Sequence, residues 1–131
     1  MRNGSKYNAV PTRYLGRRYD SKSEAARAEY LHQMLQGGAL KAVVPQPGTV
    51  LLGDDYFKYR PDFFIVDEHG DCWYEDVKGV ETARFKLTKK AWSKYGPGDL
   101  RVVRASGKKW TATTIKGGGS HLDTMSRSDD G

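Results

Sequence analysis

Residues 59–79 read YRPDFFIVDEHGDCWYEDVKG, and they decide the fold that the rest of the chain must accommodate. Two runs rich in aromatic and β-branched residues, about Lys58–Val66 and Cys72–Lys78, flank a short polar segment that contains Gly70. Such runs, separated by a few residues that include a glycine, are typical of a β-hairpin. The sequence therefore predicts two antiparallel strands, with charged residues inside both of them.

The loop of this hairpin determines which residues face each other. Asp67 and Asp71 bracket the tripeptide EHG, and its last residue, Gly70, can adopt the left-handed conformation that a three-residue loop with a G1 bulge requires. With this loop, Asp62 lies opposite Asp76. Directly opposed residues project from the same face of a sheet, with Cβ atoms about 5 Å apart.

Other loop lengths would give other partners. A two-residue loop would put Val77 opposite Asp62, and a four-residue loop would put Glu75 there. The position of Gly70 favours the three-residue loop. Strand residues alternate faces, so Lys78 then shares the side of Asp62, while Glu75 and Val77 point away.

Two carboxylates this close repel each other by about 3 kcal/mol at an effective dielectric constant near 20. Either a divalent cation or the ammonium group of Lys78 can supply the counter-charge. Carboxylate oxygens without cysteine or clustered histidine suit a hard ion, Mg²⁺ with Mn²⁺ as a substitute. The alternative interpretation is a surface salt bridge between Lys78 and a neighbouring carboxylate.

Asp62, Asp76 and Lys78 suit phosphodiester hydrolysis. A metal ion held by the two carboxylates would polarise a scissile phosphate and lower the pKa of a bound water. The backbone carbonyl of Val77, between two residues that face the metal, can complete the coordination shell. Lys78 would orient the water or neutralise charge that develops on the phosphate.

The other helices and strands are predicted from hydrophobic periodicity, from residues that cap helices and from glycines and prolines that end them. Ser21–Gln36 reads as a helix capped by Ser21, because Glu24 stands three residues later and Gly37 and Gly38 supply the stop. The remaining predicted elements are a strand broken by a turn in residues 41–52, a helix over Thr82–Tyr95, and strands at Leu100–Ala105 and Trp110–Ile115. The order α-β-β-β-α-β, with one extra strand at the end, predicts a single α/β domain with a mixed central sheet flanked by helices.

Pro61-Asp62, a strand, a turn and then Asp76-Val77-Lys78 resemble the signature of the PD-(D/E)XK nuclease superfamily. Residues 14–31, YLGRRYDSKSEAARAEYL, look like the opening of a family of small phage and prophage proteins that is classed as a domain of unknown function. That family is similar to TnsA-type transposase endonucleases and to archaeal Holliday-junction resolvases. Over about residues 14–95, the resemblance implies a restriction-endonuclease-like core and a Mg²⁺-dependent endodeoxyribonuclease that acts on branched DNA in phage recombination or replication.

In the resembled nucleases a glutamate of the first helix joins the metal site, and Glu24 matches that position. The alternative is a capping box with Ser21, in which Glu24 only returns to the backbone. Glu24 heads the apolar stripe of its helix, which favours the site. In the resembled family, glutamate is commoner than aspartate at the position of Asp76, and Glu75 stands just before it, so either residue could be the ligand. The predicted strand register favours Asp76, because it puts Asp76 on the same face as Asp62 and Glu75 on the other.

Charge is distributed unevenly along this chain of 131 residues with net charge +6. Residues 1–22 and 79–116 are strongly basic and flank an acidic centre, which indicates either an unevenly solvated surface or a polyanion partner. DNA is the expected partner, with contacts from Arg17, Arg18, Lys86, Lys89 and Lys90. Symmetric cutting of two strands would require a homodimer. The alternative function is a non-catalytic DNA-binding protein that keeps the nuclease fold.

The sequence also predicts domain limits and location. Residues 1–13 form a basic arm, 14–116 the nuclease-like domain and 117–131 a disordered tail rich in glycine, serine and aspartate. Cys72 is the single cysteine, which excludes an intramolecular disulfide and a cysteine-based zinc site. No apolar run approaches the ~20 residues of a membrane span, so we expect a cytoplasmic protein without a membrane partner.

Overall fold

The computed structural model describes residues 12–53 and 57–119. Five strands form a mixed sheet, and two further pairs of short strands form small sheets of their own. In chain order the elements are β1 (Thr12–Tyr14), β2 (Arg17–Tyr19), α1 (Lys22–Gln36), β3 (Leu40–Pro45), β4 (Val50–Leu52), β5 (Phe57–Tyr59), β6 (Phe63–Asp67), β7 (Cys72–Val77), α2 (Ala83–Tyr95), β8 (Leu100–Ser106) and β9 (Lys109–Ile115).

The five-stranded sheet has the order β3-β6-β7-β8-β9. The pairing of β7 with β8 is parallel and is connected through α2, and the other neighbouring pairs are antiparallel. The elements α1, β3, β6, β7, α2 and β8 follow one another in the predicted order. The predicted α/β domain with a mixed sheet and flanking helices is confirmed.

The β6–β7 hairpin has the register that the three-residue loop predicts. Phe63 pairs with Glu75, and Val66 pairs with Cys72. Gly70 has a φ of 89°, the left-handed conformation expected for its place in the loop. One step beyond the ladder, the backbone N–H of Asp62 still donates to the carbonyl of Glu75 at 2.9 Å. The alternatives with two- and four-residue loops are therefore wrong.

The first predicted strand of the hairpin, Lys58–Val66, is two strands. β5 ends at Tyr59 and pairs with β4, and a turn at Pro61 separates it from β6, which pairs with β3 and β7. Proline lacks the N–H that a central strand needs, so the chain changes sheets at this residue. The turn places Asp62 just before β6.

The two helices cover opposite faces of the sheet, and each begins at the predicted residue. Ser21 caps α1 and accepts a hydrogen bond from the N–H of Glu24, and Thr82 caps α2 in the same way with Phe85. α1 packs on a cluster that contains Phe63, Ile65 and Trp73, whereas Phe85 and Trp92 of α2 pack on Leu100 and Val102.

Two described segments lie just outside the predicted limits 14–116. β1 begins at Thr12, within the predicted arm, and pairs with β2. Gly117, within the predicted tail, packs so closely on the end of α2 that a Cβ atom there would collide with the carbonyl oxygens of Gly96 and Gly98. The predictions for residues 1–11 and 120–131 lie outside the described residues. No helix within residues 12–53 and 57–119 is long and apolar enough to cross a membrane.

Candidate active site

The carboxylates and the lysine predicted from sequence meet in one cavity of about 330 Å³. Glu24 reaches it from the first turn of α1, Asp62 from the turn before β6, and Asp76 with Lys78 from the end of β7. A second cavity, of about 380 Å³, adjoins the first because both are lined by Glu24 and Asp62. Together they form a groove across the end of the sheet, which we call the carboxylate groove.

Asp76 is buried, and both of its oxygens have partners. The hydroxyl of Tyr59 donates a hydrogen bond to Oδ2, and Nζ of Lys78 lies 3.1 Å from Oδ1. The Lys78 ammonium also lies 4.3 Å from the ring centroid of Phe85, which limits where it can move. The salt bridge considered as an alternative therefore exists, but it lies inside the cavity and not on an open surface.

Asp62 is held toward the same point by the backbone. Its Oδ2 accepts a hydrogen bond of 2.7 Å from the N–H of Val77. Burial raises the pKa of Asp62 well above its ordinary value, and the negative charges of Asp76 and Glu24 raise it further. Lys78 and the Val77 N–H oppose this effect without cancelling it. The carboxylates are thus closer together than the local positive charge can balance.

Glu24 lies at the start of α1 with its carboxyl group in the carboxylate groove. Its backbone N–H donates to Oγ of Ser21 at 3.1 Å, which is one half of a capping box. Its carboxyl group lines both cavities, and the pKa of that group is raised to about 7, mainly by burial and then by the charges of Asp20 and Asp76. The backbone of Asp20 offers this carboxyl group a hydrogen bond that lowers the pKa slightly.

Glu75, the alternative ligand, belongs to the other face of the sheet. Its two oxygens accept bonds of 2.8 Å each from Nε and Nη2 of Arg27, and Oε2 accepts a further one of 3.0 Å from the indole of Trp73. Glu75 is 1% exposed, and Arg27 of α1 binds both of its oxygens. The facing argument, which set Asp76 toward the cavity and Glu75 away from it, agrees with this geometry.

The basic residues predicted to contact DNA are dispersed. Arg18 lines the carboxylate groove, and Arg17 donates to the side chain of Gln46 at 3.0 Å. Lys86 and Lys90 are exposed on α2 and do not line the groove, whereas Nζ of Lys89 lies 2.6 Å from the carboxylate of Glu81.

Sequence reasoning missed several residues of the groove. Among them are Lys58, Tyr59, Arg60 and Arg84. Arg60 and Lys58 lie two and four residues before Asp62, and that spacing was a signal for their presence. Nothing in the local sequence pointed to Arg84, which reaches the groove from α2.

Comparison with known proteins identifies the family. The protein-family model described as "Protein of unknown function (DUF1064)" matches residues 4–116 of the sequence. The chain belongs to the DUF1064 family. No curated protein and no solved structure matches this DUF1064 chain. The family description carries no function, so the relationship to PD-(D/E)XK nucleases stays a prediction.

The donor atoms of the carboxylate groove in this DUF1064 protein suit a hard cation, but their positions do not form a ready binding site. Among residues 12–53 and 57–119, no group of three or more His, Cys, Asp or Glu side chains stands in position to hold a metal ion. At Asp76, Tyr59 contacts one carboxylate oxygen and Lys78 the other. The donors are nevertheless all oxygen atoms, and burial together with the neighbouring negative charges raises the pKa values of Glu24 and Asp62.

Proposed function

We propose that this protein is a metal-dependent endodeoxyribonuclease with a restriction-endonuclease-like core of the PD-(D/E)XK type. The observation that carries the proposal is the convergence of Glu24, Asp62 and Asp76, from three separate elements, on one solvent-open cavity beside Lys78. The signature residues that suggested the superfamily are the ones that meet there.

The burial and charge of these carboxylates support a functional site rather than a purely structural cluster of acids. Burial of a carboxylate without a matching positive charge costs free energy, so folds rarely keep several together without a functional reason. Glu75 shows how this chain satisfies a purely structural acid, with a two-point contact to Arg27. Glu24 and Asp62 have no comparable cation partner in the described part of the chain, and their pKa values are raised.

The residues have distinct roles in this proposal. Asp62 and Asp76 would hold Mg²⁺, or Mn²⁺ as a substitute, with Glu24 and the Val77 carbonyl as further donors. A cation bound there supplies a Lewis acid for a scissile phosphate and a bound water of lowered pKa. Lys78, beside Asp76, places a positive charge where the phosphate accumulates negative charge.

The substrate proposed is branched DNA, such as a Holliday junction, in phage recombination or replication. Arg18, Arg60, Lys58 and Arg84 line the carboxylate groove and suit contacts to backbone phosphates. Backbone contacts position a nucleic acid and read its shape but carry little sequence information, which favours selection by structure. Symmetric cutting of such a substrate would use a homodimer.

A second candidate is a DNA-binding protein without catalysis. The observation that favours it is the engagement of Asp76 by Tyr59 and Lys78. In that case the cluster would serve only as an internal ion pair, and no metal would be needed for DNA binding.

Cleavage of defined DNAs distinguishes the two candidates. Wild type, Asp76→Asn and the matched control Asp71→Asn, exposed at the hairpin loop, are incubated with linear, nicked and four-way DNAs in Mg²⁺, Mn²⁺ or EDTA. We expect wild type and Asp71→Asn to cut the four-way DNA with either metal, and Asp76→Asn not to cut it. If wild type shifts these DNAs on a gel but cuts none of them with any metal, the enzyme proposal is wrong.

A further inference from the structure

A separate cavity of about 300 Å³ lies between the β8–β9 turn and the first turns of α1. Its polar lining consists mainly of Lys22, Lys108 and Lys109, and one wall is the indole of Trp110. No acidic side chain is among its lining residues in the described chain. We call it the tryptophan cavity, since it combines three cations with one aromatic face.

The tryptophan cavity is at the same end of the sheet as the carboxylate groove. Val103 of β8 pairs with Val77 at the groove, and the strand continues three residues further, to Ser106, before the turn. At about 3.3 Å per residue, the turn lies about 10 Å beyond the level of Val77. From the other side, Lys22 stands two residues before Glu24 on α1.

Arg27 of α1 packs against the Trp110 ring and supports its position. The guanidinium of Arg27 lies 5.1 Å from the Trp110 ring centroid and 4.9 Å from that of Tyr30. Arg27 is itself fixed by its two-point contact with Glu75. The indole therefore has a supported position, and it is half-buried, whereas Trp73 and Trp92 are buried.

We propose that the tryptophan cavity binds a DNA strand with an unpaired base, which stacks on Trp110 while Lys22, Lys108 and Lys109 contact its phosphates. A cationic surface with an aromatic side chain is the arrangement by which proteins hold single strands. Bases of an intact duplex already stack on one another, so the indole selects DNA with unpaired bases, such as a single-stranded flap or a branch point at which base pairs have opened. This inference rests on the proposed action on DNA and names what makes that action selective for branched forms.

The test is a binding experiment in EDTA, where the proposed cleavage cannot occur. Unlabelled oligo(dT) is titrated into wild type while tryptophan fluorescence is followed, and anisotropy of labelled oligo(dT) and of a duplex of equal length gives the affinities. We expect oligo(dT) to quench the fluorescence, and Trp110→Phe to lose most of that quenching while it still binds.

Affinity provides the second part of the test. Trp110→Ala should weaken oligo(dT) binding roughly 5- to 150-fold, the range for loss of one stacked base, and weaken duplex binding much less. Lys108→Glu with Lys109→Glu should lower the slope of log affinity against log salt by about 1.4, at about 0.7 per lost phosphate contact on a single strand. Lys41→Glu, an exposed lysine on the opposite edge strand, is the matched control and should leave the Trp110-dependent quenching intact.

Either of two results would overturn the inference. One is full quenching by oligo(dT) in Trp110→Phe, and the other is wild-type affinity for oligo(dT) in a folded Trp110→Ala. Because Trp110→Phe keeps an aromatic ring, it guards against a loss that reflects only misfolding of the alanine variant. If the protein cuts no DNA but shows the Trp110 effects, the proposed endonuclease activity is wrong and the proposed strand-binding site stands. If it cuts DNA but shows no Trp110 effects, only the proposed strand-binding site is wrong.

Discussion

Replacement of Glu24 by glutamine should stabilise the metal-free protein at neutral and alkaline pH. The carboxyl group has a pKa of about 7 in the folded chain against an ordinary value of 4.5, because burial and the charges of Asp20 and Asp76 disfavour its ionised form. A folded state that holds the proton more tightly is penalised once the group ionises. The penalty is absent below about pH 4.5, grows as the pH rises to about 7 and is complete above that.

The magnitude follows from the two pKa values. At about 1.4 kcal/mol for each pH unit between 4.5 and 7, ionisation of Glu24 costs the fold up to roughly 3 kcal/mol. Glutamine is neutral at every pH and therefore removes this cost; the pKa of about 7 already includes the Asp20 hydrogen bond and the attraction to Lys78, so neither is subtracted again. The expected gain in the free energy of unfolding is therefore up to roughly 3 kcal/mol above pH 7 and close to zero at pH 4.5.

The assay is urea unfolding of wild type and Glu24→Gln in EDTA, at pH 5 and pH 8. Glu29→Gln removes an exposed glutamate of the same helix and should change the free energy of unfolding by less than about 0.5 kcal/mol. Added Mg²⁺ should stabilise wild type at pH 8 more than it stabilises Glu24→Gln. If Glu24→Gln is instead less stable than wild type at pH 8, and Mg²⁺ acts on both equally, Glu24 is a helix cap and the electrostatic reasoning fails.

Three further substitutions test individual contacts. Asp76→Asn should abolish cutting while DNA affinity in EDTA stays within about 3-fold, since the residue lies within the groove and binds no phosphate; a large loss of affinity would assign it to DNA binding. Tyr59→Phe frees Oδ2 of Asp76, so the Mg²⁺ concentration for half-maximal cutting should fall several-fold, and a rise would mean that Tyr59 positions Asp76 for the ion. Glu75→Gln leaves Arg27 buried with a weaker partner and should lower the free energy of unfolding by about 3 kcal/mol, with little change in cutting per folded molecule. Lost activity in folded Glu75→Gln would reopen the choice between Glu75 and Asp76.

Local signals in the sequence were sufficient for the hairpin and the helices. Gly70, with a φ of 89°, favours the three-residue loop, and the loop length sets every facing pair up to Asp62 and Asp76. Ser21 and Thr82 begin their helices because their side chains accept the N–H groups left free at a helix start. These features depend on residues close in sequence, and for that reason they could be predicted.

Long-range contacts were beyond the reach of the same reasoning. The Arg27–Glu75 pair joins residues 48 positions apart, and the hydroxyl of Tyr59 reaches Asp76 across 17. No local pattern marks either pair, because each results from how α1 and β5 pack on the sheet. The β1–β2 hairpin was missed for another reason, since its turn has Leu15 at a φ of 50°, where asparagine or glycine is the usual signal.

The occupancy of Asp76 is the sharpest difference between the expectation and the structure. The sequence predicted either a cation or Lys78 beside the two carboxylates, whereas the structure shows Asp76 held by Lys78 and also by Tyr59. We expect a cation that binds Asp76 to displace at least one of these partners. Metal binding should therefore change the surroundings of Tyr59 as well as those of the carboxylates.

Diffraction from crystals soaked in Mn²⁺, with data collected for its anomalous signal, tests the central claim most directly. The proposal predicts an anomalous peak in the carboxylate groove, within bonding distance of Asp62 and Asp76, with the Tyr59 hydroxyl or the Lys78 ammonium displaced. No peak there at millimolar Mn²⁺, with Tyr59 and Lys78 still bound to Asp76, would contradict it.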